Sequence, residues 1–378
     1  MRNKSVAVLD IRSSEICGAV AEKGVNNTFI IKGKTASEYD GYAEGELLDI
    51  DNFNKVIAEV MGSVFASSGG AIRDLFVSVP AEFSEVRLTD KVLSFSGSQG
   101  ITRRHIAELK ELSEPALNEG MSVVRSSALY YVLSDNRNII DPVGSVSDSL
   151  RGRLSFYLAK SAFLECAARA IDRCAAVRNI HFIPELYSQA MYLLPPPVRD
   201  GRALLVDIGN ISSSFSVVCG NGTEFSEAFS VGVGHIALLL MENLNIPYDV
   251  ACHFVKSVNL NAKGGFASVE EYRSGGKFYS FRSSELRDII SEGLDGFCGI
   301  LEECRQAFSG KDISSKMIYL TGEGIGVIRG LTERISSRLV APVEVIAPKV
   351  PYYDKPQFSS LFSLMAAAFD EKIKYSIF

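Results

Sequence analysis

Two widely separated stretches of this chain repeat one pattern: an apolar strand ends in an aspartate, a turn of small residues follows, and a second apolar strand begins. The first stretch reads VAVLDIRSS at 6–14 and carries Asp10, and the second reads ALLVDIGNISSS at 203–214 and carries Asp207. A unit that recurs at this separation is typical of a duplicated core. Two such hairpins facing each other across a cleft can hold a polyphosphate and its metal ion from both sides.

The overall composition narrows the classes of protein that fit. The chain has 378 residues, enough for two or more domains with cores of their own, and its 47% hydrophobic and 22% charged residues are ordinary for a globular protein. A net charge of −6 without a long basic run argues against binding to nucleic acid. The seven cysteines and four histidines are scattered without ligand spacing, so we expect reduced thiols and no zinc site.

The sequence also bears on location. It has no secretory signal pattern and no apolar run of the roughly 20 residues that span a bilayer, so we expect a cytoplasmic protein. The last residues, DEKIKYSIF at 370–378, do not form one apolar helical face, and so short a segment buries too little area for stable membrane attachment. We expect this tail to fray or to pack on the domain, and any recruitment to a membrane to be indirect, through another protein.

Three further passages form a recognisable set with the aspartate hairpins. IDPVG at 140–144 precedes LRGRL at 150–154, within a region where the pattern of strands and helices changes near residue 84, and LTGEG at 320–324 ends a late strand. Together these features resemble the actin-like ATPase superfamily and, within it, the FtsA family of bacterial cell-division proteins. The first two passages resemble part of the domain peculiar to FtsA, and the third resembles the superfamily's glycine turn at the adenosine.

The resemblance implies an α/β fold of the actin-like type: a duplicated, ribonuclease H-like core whose two lobes flank a nucleotide cleft, with an FtsA-type α+β insertion in the first lobe. The implied subdomains are a first core at 1–83 and 161–199, the insertion at 84–160, a second core at 200–250 and 315–378, and a small nucleotide-side subdomain at 251–314. Segments of period 2 and period 3.6 alternate along both halves, which agrees with α/β layers of this kind.

The resemblance also implies a site for ATP and Mg²⁺ between the lobes. Asp10 and Asp207 would hold Mg²⁺ through water, while serine hydroxyls and glycines of the turns would let the backbone approach phosphate. Lys256 matches a family position near the purine. The candidate cofactor-binding residues are Asp10, Arg12, Ser13, Ser14, Asp207, Gly209, Ser212, Ser213, Gly232, Gly234, Lys256, Gly322 and Gly324.

Several residues depart from the family pattern in ways that disfavour a nucleotide. Arg12 stands in place of a glycine, Glu15 in place of a lysine, Ile211 within a run of glycine and threonine, and Glu323 in place of the middle glycine of the adenosine turn. The large side chains crowd backbone that would touch phosphate, and the glutamates add negative charge beside an anionic ligand. Arg12 could instead pair with phosphate. We therefore expect weak or lost nucleotide binding and no efficient catalysis.

Simpler interpretations of single residues remain open. An aspartate after a strand often caps a β-turn, and serines suit ordinary turn chemistry. Lys256 also fits a solvated position on a helix. What favours one shared cleft is the order of the features, because two aspartate hairpins are followed by a glycine turn.

Protein partners are implied by the same resemblance. In FtsA proteins the small subdomain, here 251–314, binds the C-terminal tail of the tubulin-like division protein FtsZ. The insertion, here 84–160, takes part in self-association into filaments and in contacts with other divisome proteins. The leading hypothesis is a cytoplasmic cell-division adaptor that is recruited to the inner face of the membrane. The alternatives are a PilM-like scaffold of an envelope assembly machine, or an ATPase or kinase of the superfamily.

Overall fold

A computed structural model describes residues 5–25, 28–69, 72–174, 177–262, 268–310 and 313–375. Within these ranges, helices and strands alternate along the chain, as the sequence pattern predicts. None of the helices described is both long enough and apolar enough to cross a bilayer.

The first half of the chain forms a core that is interrupted by an insertion. The core begins with β1 (Ser5–Ile11), β2 (Glu15–Lys23), β3 (Phe29–Glu38), β4 (Tyr42–Ala43), β5 (Glu46–Leu47), α1 (Ile50–Ser67) and β6 (Ile72–Val79). The insertion comprises β7 (Ser84–Gly100), α2 (Arg103–Leu112), β8 (Met121–Leu133), β9 (Asn138–Ile139) and β10 (Val146–Lys160). The chain returns to the core with α3 (Ser161–Cys174), β11 (Val177–Pro184), α4 (Glu185–Leu193) and the short α5 (Pro196–Asp200).

The second half repeats this plan with an excursion of its own. It begins with β12 (Ala203–Ile208), β13 (Ser213–Cys219), β14 (Gly222–Phe229) and α6 (Val233–Leu244). The excursion comprises α7 (Tyr248–Ser257), β15 (Val269–Ser274), β16 (Lys277–Arg282) and α8 (Ser283–Ala307). The chain ends with β17 (Ile318–Thr321), α9 (Leu331–Leu339), β18 (Val343–Val345) and α10 (Ser359–Tyr375).

The two core sheets have the same topology. The strand order is β11-β6-β1-β2-β3 in the first sheet and β18-β17-β12-β13-β14 in the second. In each sheet the aspartate strand, β1 or β12, runs antiparallel to the next strand of its hairpin and parallel to β6 or β17. Asp10 lies opposite Cys17 and Asp207 lies opposite Ser214, so the carboxylates occupy equivalent places in the two sheets. The predicted duplicated α/β core is therefore confirmed.

Helix α1 shows how the apolar pattern positions these layers. Its buried residues, which include Phe53, Ile57 and Val60, recur at helical spacing and pack on the first sheet beside α3. The helix begins after Asp49, which has the extended backbone of a cap and whose carboxylate accepts a 2.9 Å hydrogen bond from the Asn52 N–H.

The insertion forms its own sheet, of order β7-β10-β8-β9, covered by α2. Thr102 caps α2, since its hydroxyl accepts from the backbone N–H of His105. The insertion is anchored to the second half of the chain through buried groups. The Ser155 hydroxyl donates to the carbonyl of Thr223 at 2.6 Å, and the Tyr157 hydroxyl bonds the Thr223 side chain at 3.0 Å.

Helix α10 lies against the first sheet, although the sequence analysis grouped 315–378 with the second core. Leu361, Phe362 and Met365 pack on the face of the sheet opposite α1. The helix continues to Tyr375, and Glu371 pairs with Arg125 at 2.7 Å. Residues 376–378 of the expected tail lie outside the described residues. The division of the chain into the remaining subdomains stays a prediction.

The hairpin of β15 and β16 was not predicted, because 259–276 is polar and interrupted by glycines. Its turn places Gly275 at φ +56° and Gly276 at φ +78°, backbone angles that favour glycine. Tyr272 lies opposite Tyr279 in the hairpin and packs with Phe281 against the core of the second half. The two glycines between alternating aromatic residues were the signal for this turn.

Candidate functional site

The two aspartate hairpins meet at one small cavity. The Ser13 hydroxyl of the first turn accepts a 3.2 Å hydrogen bond from the backbone N–H of Ile211 in the second turn. The cavity has a volume of about 40 Å³, which is room for a few water molecules. It is lined by Arg12, Ser13, Tyr42, Ala81, Glu185, Asp207, Gly209, Ser212, Ser213, Ser214, Gly322, Glu323, Pro356, Gln357 and Ser360.

Asp10 is fully buried, and both of its carboxylate oxygens are bonded to protein groups. Oδ2 accepts a 2.9 Å hydrogen bond from Arg12 Nε, which makes a buried ion pair. Oδ1 accepts a 2.6 Å hydrogen bond from the Ser360 hydroxyl on α10. The oxygens that would order the water around Mg²⁺ are thus directed to a guanidinium and a hydroxyl.

Arg12 supplies positive charge inside the cleft. Its side chain is 11% exposed, and Nη1 donates to Glu15 Oε1 at 3.3 Å. The Tyr39 hydroxyl donates to the Arg12 carbonyl at 2.7 Å and so fixes the backbone of the turn. Burial lowers the pKa of the guanidinium, but Asp10 and the other nearby anionic groups outweigh burial and hold that pKa above its ordinary value. Arg12 therefore carries its charge at any pH at which the chain is folded.

The Glu323 carboxylate binds the backbone of the second aspartate turn as an oxyanion would. Its Oε1 accepts a 3.0 Å hydrogen bond from the Asn210 N–H and a 3.4 Å hydrogen bond from the Ser14 hydroxyl. With the Ile211 N–H bonded to Ser13, these backbone donors of the turn already have partners from the chain itself. Burial raises the pKa of the Glu323 carboxyl, and the charge of Arg12 opposes that effect.

Asp207 shares a polar network with helix α4. The Gln189 amide donates to Asp207 Oδ2 and, at 2.8 Å, to Glu185 Oε1. Burial raises the pKa of Asp207 to about 6, and burial followed by the charge of Asp207 raises the pKa of Glu185 well above its ordinary value. Asp207 and Glu185 therefore keep protons at pH values at which exposed carboxyls have lost them.

The candidate glycines are in tight contact with other parts of this chain. A Cβ on Gly322, whose φ is +104°, would overlap the Asp207 carboxylate. A Cβ on Gly209 would overlap the carbonyl of Ser212, and one on Gly232 would overlap the carbonyl of Gly209. These contacts explain the need for glycine without a ligand, because the backbone atoms approach one another.

The other predicted site residues divide into two groups. Ser212 and Ser213 lie at the cavity, and the Ser213 hydroxyl donates to the Val231 carbonyl at 2.7 Å. Gly234 and Gly324 lie beside the second turn, next to Asn210 and Ile208 respectively. Lys256 is exposed on α7 and does not line the cavity. Its role near a purine stays a prediction.

Sequence reasoning missed three polar residues of this site. Glu185 directly follows the end of β11, and Asp10 likewise lies near the end of β1, so the position of Glu185 at a strand end was a signal for this site. Gln189 is one helical turn further along α4, on the same face as Glu185. Ser360 had no local signal, since only the packing of α10 brings it to Asp10.

As arranged here, these side chains do not fit a complex of Mg²⁺ with a nucleotide. The cavity takes only a few waters, Arg12 pairs with the carboxylate that would order the metal, and Glu323 takes up the N–H of Asn210. Among the residues in the described ranges, no group of three or more histidine, cysteine, aspartate or glutamate side chains could hold a metal ion. The predicted metal roles of Asp10 and Asp207 stay predictions.

The raised pKa of Asp207 predicts an unusual dependence of stability on pH. The folded chain binds the proton of the Asp207 carboxyl more tightly than the unfolded chain does. The stability that this proton contributes is present below about pH 4 and is lost as the pH rises through about 6. Between pH 4 and pH 8, the free energy of unfolding of the native chain should therefore fall by about 2–3 kcal/mol relative to that of Asp207→Asn. Urea titrations at a series of pH values measure this. A constant difference across that range would contradict it.

Comparisons with known proteins agree with this architecture. No protein-family model matches the chain. The cell-division protein FtsA of Staphylococcus epidermidis is 21% identical over 379 aligned residues, which cover 97% of this chain and 80% of that protein. A solved PilM–PilN type IV pilus biogenesis complex contains a chain of similar fold, with 13% identity, a TM-score of 0.66 and coverage of 98% of this chain and 99% of that one.

A second solved structure, MreB5 of Spiroplasma citri bound to AMPPNP, has a TM-score of 0.58 at 12% identity. The alignment covers 100% of this chain and 99% of the MreB5 chain. The structural likenesses show the fold alone, whereas the curated relatives extend the sequence similarity over most of the chain. The duplicated sheets and the inserted sheet in the first half agree with the actin-like fold of the solved structures, and the chain is similar in sequence to FtsA proteins along most of its length.

Proposed function

We propose that this chain is an FtsA-like adaptor of bacterial cell division, which assembles with its own copies and binds the C-terminal tail of a tubulin-like protein of the FtsZ type. The observation that carries the proposal is the similarity to FtsA along 97% of the chain, which includes the insertion. Other divisome proteins are further partners under this proposal. Recruitment from the cytoplasm to the inner face of the membrane takes place through such a partner.

Nucleotide binding is weak or lost in this proposal. The support comes from the Asp10–Arg12 ion pair and from the hydrogen bonds of Glu323 in the cleft. An adaptor does not need to turn over ATP in order to link partners, so loss of catalysis is compatible with the role. Assembly and tail binding should then proceed without added nucleotide.

A surface for the FtsZ tail is offered by the hairpin of β15 and β16. Phe278 is 57% exposed and Val269 is 47% exposed, although both are large apolar side chains. Arg273 lies opposite Phe278 and Arg282 lies opposite Val269, and both arginines are exposed. Exposed apolar side chains next to cations suit a short peptide with apolar and acidic residues.

The proposal is tested by fluorescence anisotropy with a labelled peptide of the FtsZ tail from the same organism, together with pelleting and electron microscopy. We expect saturable binding and filaments, both without Mg-ATP. Phe278→Ala should weaken tail binding by about tenfold. Tyr352→Ala removes a side chain that is 94% exposed outside this hairpin, and it should leave binding unchanged.

Absence of both tail binding and filaments would show that the proposed function is wrong. The alternative is a PilM-like scaffold, for which the likeness to PilM in fold is the support. In that case the chain should bind a short peptide of a membrane protein of an envelope assembly machine, and affinity purification from its own cells should return components of that machine in place of FtsZ.

A further inference from the structure

We infer that the cleft is self-liganded: the Arg12 guanidinium takes the place of the metal cation and the Glu323 carboxylate takes the place of a phosphate oxygen, so that the two lobes are joined in the absence of nucleotide. The first lobe here means the first sheet with its helices, the β4–β5 hairpin and α10, and the second lobe means the second sheet with its helices. The inference rests on the proposed function only in treating nucleotide as dispensable, and it does not depend on any partner.

The first step concerns positive charge. Asp10 is fully buried, and a buried carboxylate is strongly destabilising unless it is paired and hydrogen-bonded. A nucleotide cleft of this type obtains its cation from the metal, whereas here Arg12 Nε lies 2.9 Å from Asp10 Oδ2. The same guanidinium reaches Glu15 at 3.3 Å. One side chain therefore balances carboxylates that a hydrated metal would otherwise have to balance.

The second step concerns negative charge. A carboxylate that accepts from a backbone N–H makes a charge-assisted bond of the kind a phosphate oxygen makes at the same donor. Glu323 Oε1 does this at 3.0 Å from the Asn210 nitrogen. Its contact with the Ser14 hydroxyl, at 3.4 Å, adds a donor from the other aspartate hairpin. The carboxylate thus contacts both turns, as a phosphate held between them would.

The third step concerns the contact between lobes. The Ile211 N–H donates across the cleft to Ser13, and the Glu44 N–H of the first lobe donates to the Ser230 hydroxyl of the second at 2.6 Å. The Ile211 side chain lies next to Gly41 of the first lobe. Two of the departures from the family pattern, Ile211 and Glu323, therefore both contact the first lobe from the second.

Hydrogen exchange of backbone amides at 209–212 tests this inference directly. In the native chain without nucleotide, we expect the amides of Gly209, Asn210 and Ile211 to be protected, and millimolar Mg-ATP to leave their exchange unchanged. Glu323→Ala should speed exchange at Asn210 by about tenfold, since it removes the acceptor. Glu323→Gln retains an acceptor oxygen, so its exchange should stay near the native rate. Glu111→Ala alters an exposed glutamate on α2 and should have no effect at 209–212.

Fast exchange at 209–212 that becomes slow only with Mg-ATP would overturn the inference. That outcome would not contradict the proposed function, because the proposed function is tested by tail binding and filament formation. Should Glu323→Ala fail to fold, Ser13→Ala supplies the equivalent test at the Ile211 amide. Unchanged protection at Ile211 in Ser13→Ala and at Asn210 in Glu323→Ala would likewise contradict a self-liganded cleft.

Discussion

Replacement of Arg12 by alanine is expected to lower the free energy of unfolding by about 3–5 kcal/mol, because it leaves a buried carboxylate without its cation. Asp10 is fully buried and would keep only its hydrogen bond from Ser360. Urea denaturation followed by circular dichroism measures the loss.

Two further variants separate loss of the ion pair from other effects of the substitution. The double variant Asp10→Asn with Arg12→Met removes both charges of the buried pair, and it should recover most of the lost stability since no charge is left at the fully buried position 10. Arg151→Ala breaks a pair with Asp90 on the exposed surface of the insertion, and its effect should be close to zero. A loss for Arg12→Ala no larger than that for Arg151→Ala would contradict the role assigned to the buried pair.

Phe362→Ala should be comparably destabilising, by about 3–5 kcal/mol, because it creates a cavity between α10 and the first sheet. The Phe362 side chain is fully buried. Its ring packs edge-to-face on Phe29 with centroids 5.4 Å apart, and lies 5.0 Å from the ring of Tyr353. Such aromatic contacts add to the free energy of burial.

The measurement is again urea denaturation, with the slope of the transition as a check that the same surface is exposed on unfolding. Phe278→Ala is the matched control, since it makes the same change at a ring that is 57% exposed. A loss below about 1 kcal/mol for Phe362→Ala would mean that α10 does not dock on the first sheet as described.

Local patterns predicted much of the fold. The apolar strands ending at Asp10 and Asp207, with the hairpins after them, specified equivalent strands in two sheets, and the observed registers agree. The buried residues of α1 also recur at helical spacing in the sequence, because they are neighbours along one face of the helix. These features depend on residues that are close in sequence, and the periodicity of apolar residues indicates features of this kind.

The hairpin at 269–282 and the position of α10 were harder to predict. Tyr272 and Phe281 contribute to a core supplied mainly by other elements, so the short hairpin has little apolar pattern of its own. The apolar residues of α10 indicate a buried helix but do not say which sheet it covers. That choice depends on which surface is left open once both sheets have formed.

The sequence by itself determined the duplicated core, the inserted segment and the unusual residues Arg12, Ile211 and Glu323 at the cleft. Only the tertiary structure decided what these residues contact. Arg12 pairs with a neighbour two positions away, but Ser360 reaches Asp10 across 350 positions and Glu323 reaches Ser14 across 309. A side chain's propensity and charge are local properties, whereas its partner is set by the packing of segments that are distant in the chain.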